Sequence, residues 1–556
     1  MKTIIIIGSG LAGLTAAVKT TEYDANAILI SPAQSERTQS VMAMGGINAA
    51  LNTKGQDDST QQHYIDTIKG GNHINNPKAV KKLTTDAPDI VRWLGNIGTS
   101  FTRDENGNID VRYFGGQKKM RTAYAGAKTG KQIVTALTTL CRRKEAEGKI
   151  TRYIGWRFLS LILTEENECI GVIVINEDTD EIKEFYGDSV IIASGGLNKI
   201  FGKTSGSTHN DGCTTAKLFT QGIELSNMEM IQYHPTTIDT PVKKMLITEA
   251  ARGEGGRLYI ERDGRQWYFM EEWYPEFGAL MPRDVVSRSI YKVCHELGEN
   301  HVYLDITHLP SETVEVKLDE VYDVCMQYRG INPKNEPIPV YPGVHYFMGG
   351  ISTDENHKTN IKRVYAAGEC SSQYHGANRL GGNSLLGAIH GGWIAAQEAI
   401  NETKISDKIS QEQQEKIGKV VLDKEQEKYN MWQRLNNNEY KSYKIEEILA
   451  NIMNKSMGIY RNKEELEEAL IQLDNIYEIS KKSDSGNYYE YQRLPLLIQL
   501  AKTMILGALN RKESRGSHQR IEYPETDDEN YKKTTIIKLE KTQIKVSFKE
   551  IDDMEV

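Results

Sequence analysis

The sequence predicts an α/β fold: a Rossmann-like dinucleotide-binding domain with an inserted α+β capping domain, followed by a helical domain and a small C-terminal domain. Three observations carry that expectation. The run Thr3–Ile7 is β-branched throughout and enters a glycine-rich turn. Residues 223–342 lose the βαβ rhythm and become rich in Tyr, Pro and charge. Residues 402–510 are rich in Lys, Glu and Gln, poor in glycine, and helical in period. The expected boundaries are therefore 1–222 with 343–401 for the nucleotide domain, 223–342 for the cap, 402–510 for the helices and 511–556 for the last unit. A chain of 556 residues is too long for one core, as that division requires.

Each element has its own signal. A continuous β-branched run suits a strand buried on both faces of a parallel sheet. The helix-like run Leu11–Thr20 and a second apolar strand, Ala27–Ser31, complete a βαβ opening. Asp188–Gly196 reads as a further buried strand ending in glycines. Arg363–Glu369 reads as another strand, with a helical run, Leu385–Ile400, after it. Thr534–Phe548 alternates in polarity, which predicts a closing strand pair.

Composition narrows the function. Hydrophobic residues at 39% and charged residues at 26% describe an ordinary globular chain. A net charge of -8 argues against nucleic acid or an anionic membrane as direct partner. Cys141, Cys169, Cys213, Cys294, Cys325 and Cys370 are scattered with no C-x-x-C pair. That spacing excludes a zinc site or a resident iron–sulfur cluster, so no metal is expected, and it fits a reducing cytoplasm. The apolar run Ile4–Ile7 is too short for a signal-peptide core. No stretch approaches eighteen uninterrupted apolar residues, so any membrane contact is expected through another protein.

Gly8-Ser9-Gly10-Leu11-Ala12-Gly13 is a G-x-G-x-x-G directly after a strand and opening a helix. The first glycine permits the tight turn, the second lets pyrophosphate approach the backbone, and the third lets helix pack on strand. The helix N-terminus adds positive potential. The acid that usually grips a ribose after the second strand is absent; Ser31-Pro32 stands there. A second glycine-rich turn, Met44-Gly45-Gly46-Ile47-Asn48-Ala49-Ala50, suits a flat flavin ring lying against backbone, and NAD has no need of it. Asn383-Ser384 offers N-cap chemistry to the helix that follows. If that helix points at a flavin, its dipole would stabilise the anionic reduced ring.

Several motifs together resemble the fumarate reductase and succinate dehydrogenase flavoprotein subunits. They are Ser40–Gly46, His234-Pro235-Thr236, Leu246–Gly256, Pro282-Arg283-Asp284, His345–Ile351 and His375–Leu385. Arg511–Arg520 and Asp527-Asp528-Glu529-Asn530 extend the match to the C-terminus. L-aspartate oxidase shares most of the middle motifs, and the C-terminal run favours the reductase/dehydrogenase branch. The resemblance implies FAD, held by Gly8, Ser9, Gly10, Leu11, Ala12, Gly13, Ser31, Thr38, Gln39 and Ser40. Gly45, Gly46, Ala193, Asp211, Glu369, Ser384 and Leu385 complete that implied set. In the membrane-associated enzymes a histidine two residues after the arginine aligned with Arg37 bonds covalently to the flavin. Gln39 stands there, so non-covalent FAD is expected, and with it a bias toward reducing an alkene. The resemblance further implies a separate iron–sulfur electron-transfer protein as partner subunit. It also implies a cytoplasmic protein, peripheral to the inner face of the membrane through such a partner.

By the same resemblance His234, Thr248, His345 and Arg379 clamp a small dicarboxylate, fumarate or succinate. Arg283 donates the proton, with Glu249 and Arg252 as its relay. Cationic clamps also stabilise carbanionic charge as it develops, and an arginine acid needs immediate reprotonation. Taken singly, His234 or His345 reads as a satisfied core histidine, Arg283 beside Asp284 as a surface ion pair, and Glu249–Arg252 as an ordinary helix pair. Their co-occurrence with flanking glycines in motif order selects the functional expectation. The rivals left open are L-aspartate oxidase, a reductase of another 2-enoate, and a flavin-binding protein without catalysis.

Overall fold

The computed structural model describes residues 1–552 apart from 127, 242, 403–408 and 436–438. Its central sheet is parallel, with strands in the order Val364–Ala366, Ser189–Ile192, Lys2–Ile7, Ala25–Ser31, Ile150–Ile154. The period-2 alternation of a strand explains why its first run contains no polar break. Ile4 and Ile6 join one core with Leu14, Leu137 and Leu386, from the helices Leu11–Glu22, Thr129–Ala146 and Asn383–Glu402. Ile5 and Ile7 join another with Phe158, Val172 and Leu497. That second face is covered by an antiparallel sheet, Trp156–Leu163, Cys169–Asn176 and Ile182–Tyr186, and by the helix Tyr488–Asn510.

The cap has its own core, built on a six-stranded antiparallel sheet. Two neighbouring strands of it, Ile231–Asp239 and Ile338–Phe347, carry the two histidines of interest. The expected 342/343 boundary falls inside the second of these strands. Pro235 lacks the N–H that a ladder needs, and the pairing shifts register between His234 and Thr237. Such irregularities re-aim side chains beside active sites. His234 pairs with Gly343, and a second register shift, between Gln232 and Tyr233, leaves His345 unpaired between Val344 and Tyr346.

The alternating C-terminal segment forms a hairpin, Lys533–Glu540 with Gln543–Glu550. It joins a sheet with Leu225–Ser226, Gly350–Ser352 and Ser371–Ser372. One detail differs from expectation. The helix begins at Asn383, whose amide accepts from Asn48 at 2.8 Å and donates to Thr67 at 3.0 Å, so it ties the helix to its neighbours rather than capping it.

Candidate active site

At the nucleotide turn, Gly8 has φ +114°, and a Cβ there would lie 2.2 Å from the Ala193 carbonyl oxygen. A Cβ at Gly13 would lie 1.8 Å from the Gly8 carbonyl oxygen, so this glycine serves helix-on-strand packing and does not line the cleft. Gly10 is different: its nearest obstacle is Ser40 Oγ at 3.4 Å, which leaves backbone open to a ligand. Where an acid usually stands, Ser31 and Ser9 share a hydrogen bond of 2.7 Å.

A cleft open to solvent runs beside this turn. Gly8, Ser9, Gly10, Leu11, Ala12 and Ser31 line it. So do Thr38, Gln39, Ser40, Gly45 and Gly46, and also Ala193, Asp211, Glu369, Ser384 and Leu385. The amide oxygen of Gln39 accepts from the Ser207 N–H. Asp211 is held by Arg157 at 2.9 Å, the Tyr489 hydroxyl at 3.1 Å and the Cys213 N–H at 2.9 Å. Burial pushes the Glu369 carboxyl up to about 7. The open Gly10 face, the two helix N-termini and the run of lining residues from Gly8 to Leu385 fit FAD.

Six side chains converge where the cap closes over this cleft: His234, Thr248, Glu249, Arg283, His345 and Arg379. Arg283 is the first residue of the helix Arg283–Leu297, and its guanidinium grips Glu249 through Nε at 2.8 Å and Nη2 at 2.7 Å. Arg252 sits behind, 3.8 Å from the other Glu249 oxygen, and does not reach the cleft. Burial pushes the Glu249 carboxyl up, but Arg283 and Arg252 outweigh it and hold the group below the ordinary carboxylate range. Arg379 lies over the Tyr346 ring at 4.3 Å; burial, with Arg283 nearby, brings it down to about 9, still cationic at neutral pH. The His234 and His345 rings are 5.2 Å apart, and burial beside Arg283 holds both imidazoles well below their ordinary value, hence neutral.

The charges do not balance. Three buried guanidiniums, Arg252, Arg283 and Arg379, face one firmly ionised carboxylate, Glu249, and Glu369, pushed up to about 7, offsets Arg379 only in part, which leaves positive charge in surplus. In this site His234 Nε2 and Arg379 Nε, with Arg252 Nε and Nη2 behind them, are buried with no hydrogen-bond partner. Unpaired buried donors and uncompensated charge are costly, so the arrangement suits a small dianion.

Residues absent from the expected set also build the site. The Gly115 N–H donates to Glu249 at 2.7 Å, and a Cβ at Gly115 would meet that carboxylate at 2.5 Å. Gln232 accepts from Arg283 at 3.2 Å and donates to Asn378 at 2.9 Å and to the Arg379 carbonyl at 2.8 Å. The Ser205 hydroxyl meets His345 Nδ1 at 2.8 Å. Phe114-Gly115-Gly116 was a readable signal; nothing near Gln232 or Ser205 marks them. His375 meets the Tyr346 hydroxyl at 3.3 Å and does not line the cleft.

Comparisons with known proteins address the family of the chain. The family model for the FAD binding domain matches residues 3–385, and that for the fumarate reductase flavoprotein C-terminus matches 446–556. The succinate dehydrogenase flavoprotein subunit of Bacillus subtilis is 38% identical over 550 residues, 96% of this chain and 94% of that protein. The fumarate reductase flavoprotein subunit of Haemophilus influenzae is 32% identical over 568 residues, 96% of this chain and 91% of that protein. Among solved structures, FrdA from a mutant E. coli quinol fumarate reductase superposes with a TM-score of 0.91 at 27% identity, over 100% of this chain and 98% of that one.

Proposed function

The chain belongs to the fumarate reductase/succinate dehydrogenase flavoprotein family and is an FAD-dependent oxidoreductase, and on that premise we propose that it interconverts fumarate and succinate. The surplus of positive charge with unpartnered donors beside the cleft carries this reading, because a dicarboxylate offers both the charge and the acceptors that these groups lack. Bound FAD supplies the hydride for one alkene carbon.

The protein supplies the rest. Arg379, His234, His345 and Thr248 hold the two carboxylates, the arginine by a bidentate grip and the others by directional donors. The same cations stabilise the negative charge that grows on the second alkene carbon. Arg283 gives that carbon its proton and is reprotonated through Glu249 and Arg252. Gln39 offers an amide and no imidazole, so FAD is held non-covalently and alkene reduction is the favoured direction. The family resemblance points to a separate iron–sulfur protein as the source of electrons, and the six buried, free and dispersed cysteines of this chain offer no cluster site of their own.

The test is anaerobic reoxidation of photoreduced holoprotein by fumarate, acrylate, crotonate and urocanate, then steady-state fumarate reduction with a reduced viologen. Fumarate is expected to be the fastest acceptor. Arg283→Ala is expected to lose about 10²–10⁴ in kcat while keeping its yellow cofactor, the range of a general acid. Full activity in that variant overturns the proton-donor role. Oxidation of L-aspartate by oxygen, with no response to enoates, overturns the substrate.

A further inference from the structure

His345 reaches the cleft, and its Nδ1 meets the Ser205 hydroxyl at 2.8 Å. That hydroxyl has one proton and two candidate acceptors, His345 Nδ1 and the Val344 carbonyl at 3.2 Å. The Val344 carbonyl already receives the Ser205 backbone N–H at 3.1 Å. The carbonyl has two lone pairs and can take both protons, so sharing excludes neither acceptor, and the nitrogen is the nearer of the two. A ring nitrogen that accepts fixes the tautomer, and the remaining proton must sit on Nε2.

We propose that Ser205 is a positioning residue: its hydroxyl holds His345 as the Nε2–H tautomer, so that the ring donates to a substrate carboxylate. The inference deepens the proposed function and rests on its dicarboxylate substrate. The opposite tautomer would present a lone pair to a carboxylate and repel it. Burial, with Arg283 and Arg379 nearby, keeps the imidazole uncharged. A neutral ring donates from only one nitrogen, so its tautomer decides whether it helps or hinders binding. Ser205 is buried at 4% exposure and also lines the cleft, so the His345 tautomer is the readout that separates action through the ring from direct contact with a ligand.

The experiment uses holoprotein and compares the natural residue with Ser205→Ala and Ser205→Thr. Malonate binding is followed by the flavin spectrum, fumarate reduction by a reduced viologen, and the His345 tautomer by ¹⁵N NMR of the malonate complex. Ser205→Ala is expected to raise the malonate Kd and the fumarate KM about tenfold, the low end of what losing an orienting partner costs a ligating imidazole. A kcat within about twofold is expected, because the contact is equal in ground and transition states. Ser205→Thr keeps the hydroxyl and restores both constants. In the alanine variant the His345 ¹⁵N shifts move toward a mixture of tautomers, which a merely structural serine would not cause. Unchanged malonate affinity and tautomer in Ser205→Ala overturn the inference while leaving the dicarboxylate reading intact. A natural protein that binds no dicarboxylate overturns that reading and the inference with it.

Discussion

Glu249 is the residue on which the charge balance turns. It receives both Arg283 nitrogens and the Gly115 N–H, with Arg252 behind it. Glu249→Gln keeps an acceptor for Gly115 but leaves the guanidiniums uncompensated. Breaking a buried pair costs about 3–5 kcal/mol, and that loss of stability is expected at pH 7. The sign of its pH dependence follows from the depressed carboxyl. Its contribution is fully present above the ordinary value of 4.5 and is lost as pH falls through the lower folded value. The gap in thermal stability between the natural protein and Glu249→Gln is therefore expected to narrow only below about pH 4.5, where the unfolded carboxyl also protonates. A gap that stays constant from pH 7 to pH 3.5 contradicts the ion-pair account. Arg283, Glu249 and Arg379 were legible as types in glycine-flanked motifs. Gln232 and Ser205 were not, because a neutral polar residue acquires meaning only from the group it meets, and that group is distant in sequence.

At the scale of elements, the C-terminal motif becomes intelligible as a clasp. The Gly516 carbonyl accepts from Arg288, on the helix that begins with Arg283, at 2.7 Å. The Ser517 N–H donates to Ala377, in the loop that carries Arg379, at 2.9 Å. Gly516 has φ +55°, and a Cβ would stand 2.7 Å from the Ala377 carbonyl oxygen. Gly516→Val would push that loop away and shift Arg379. A misplacement near 1 Å costs about 10²-fold, and that loss is expected in kcat/KM for fumarate, with far-ultraviolet circular dichroism unchanged. Unaltered kinetics in this variant would show that the clasp does not set the position of Arg379. The opening strand, helix and glycine turn were readable because their signals are local and periodic. The Asn383 cap was misjudged, because the amide's partners, Asn48 and Thr67, are brought to it only by folding.

Across the whole molecule, the segments fuse more than their composition suggests. Leu494, Leu497 and Ile505 of the helix Tyr488–Asn510 share a core with Ile5 and Val190 of the central sheet, whereas the cap keeps a core of its own. Leu225 pairs with both Ile351 and Ile537, a join that periodicity cannot reveal. The cofactor cleft takes part in this fusion: Tyr489 lines it and bonds Asp211 at 3.1 Å. FAD binding should therefore stabilise the helix Tyr488–Asn510 together with the sheet, and the cap core far less. At FAD about 1,000 times its Kd, the linked stabilisation is about 4 kcal/mol. Hydrogen exchange of apoprotein and FAD-reconstituted protein measures where that energy goes. Amides of residues 488–510 and of the strand Lys2–Ile7 are expected to slow together by up to about 10³-fold, since 1.4 kcal/mol is a factor of ten. Amides of the cap strand Val302–Asp305, which packs in the separate core, should change little. Protection confined to the nucleotide turn, with residues 488–510 exchanging as before, would mean that the helical segment folds independently of the cofactor despite the shared core.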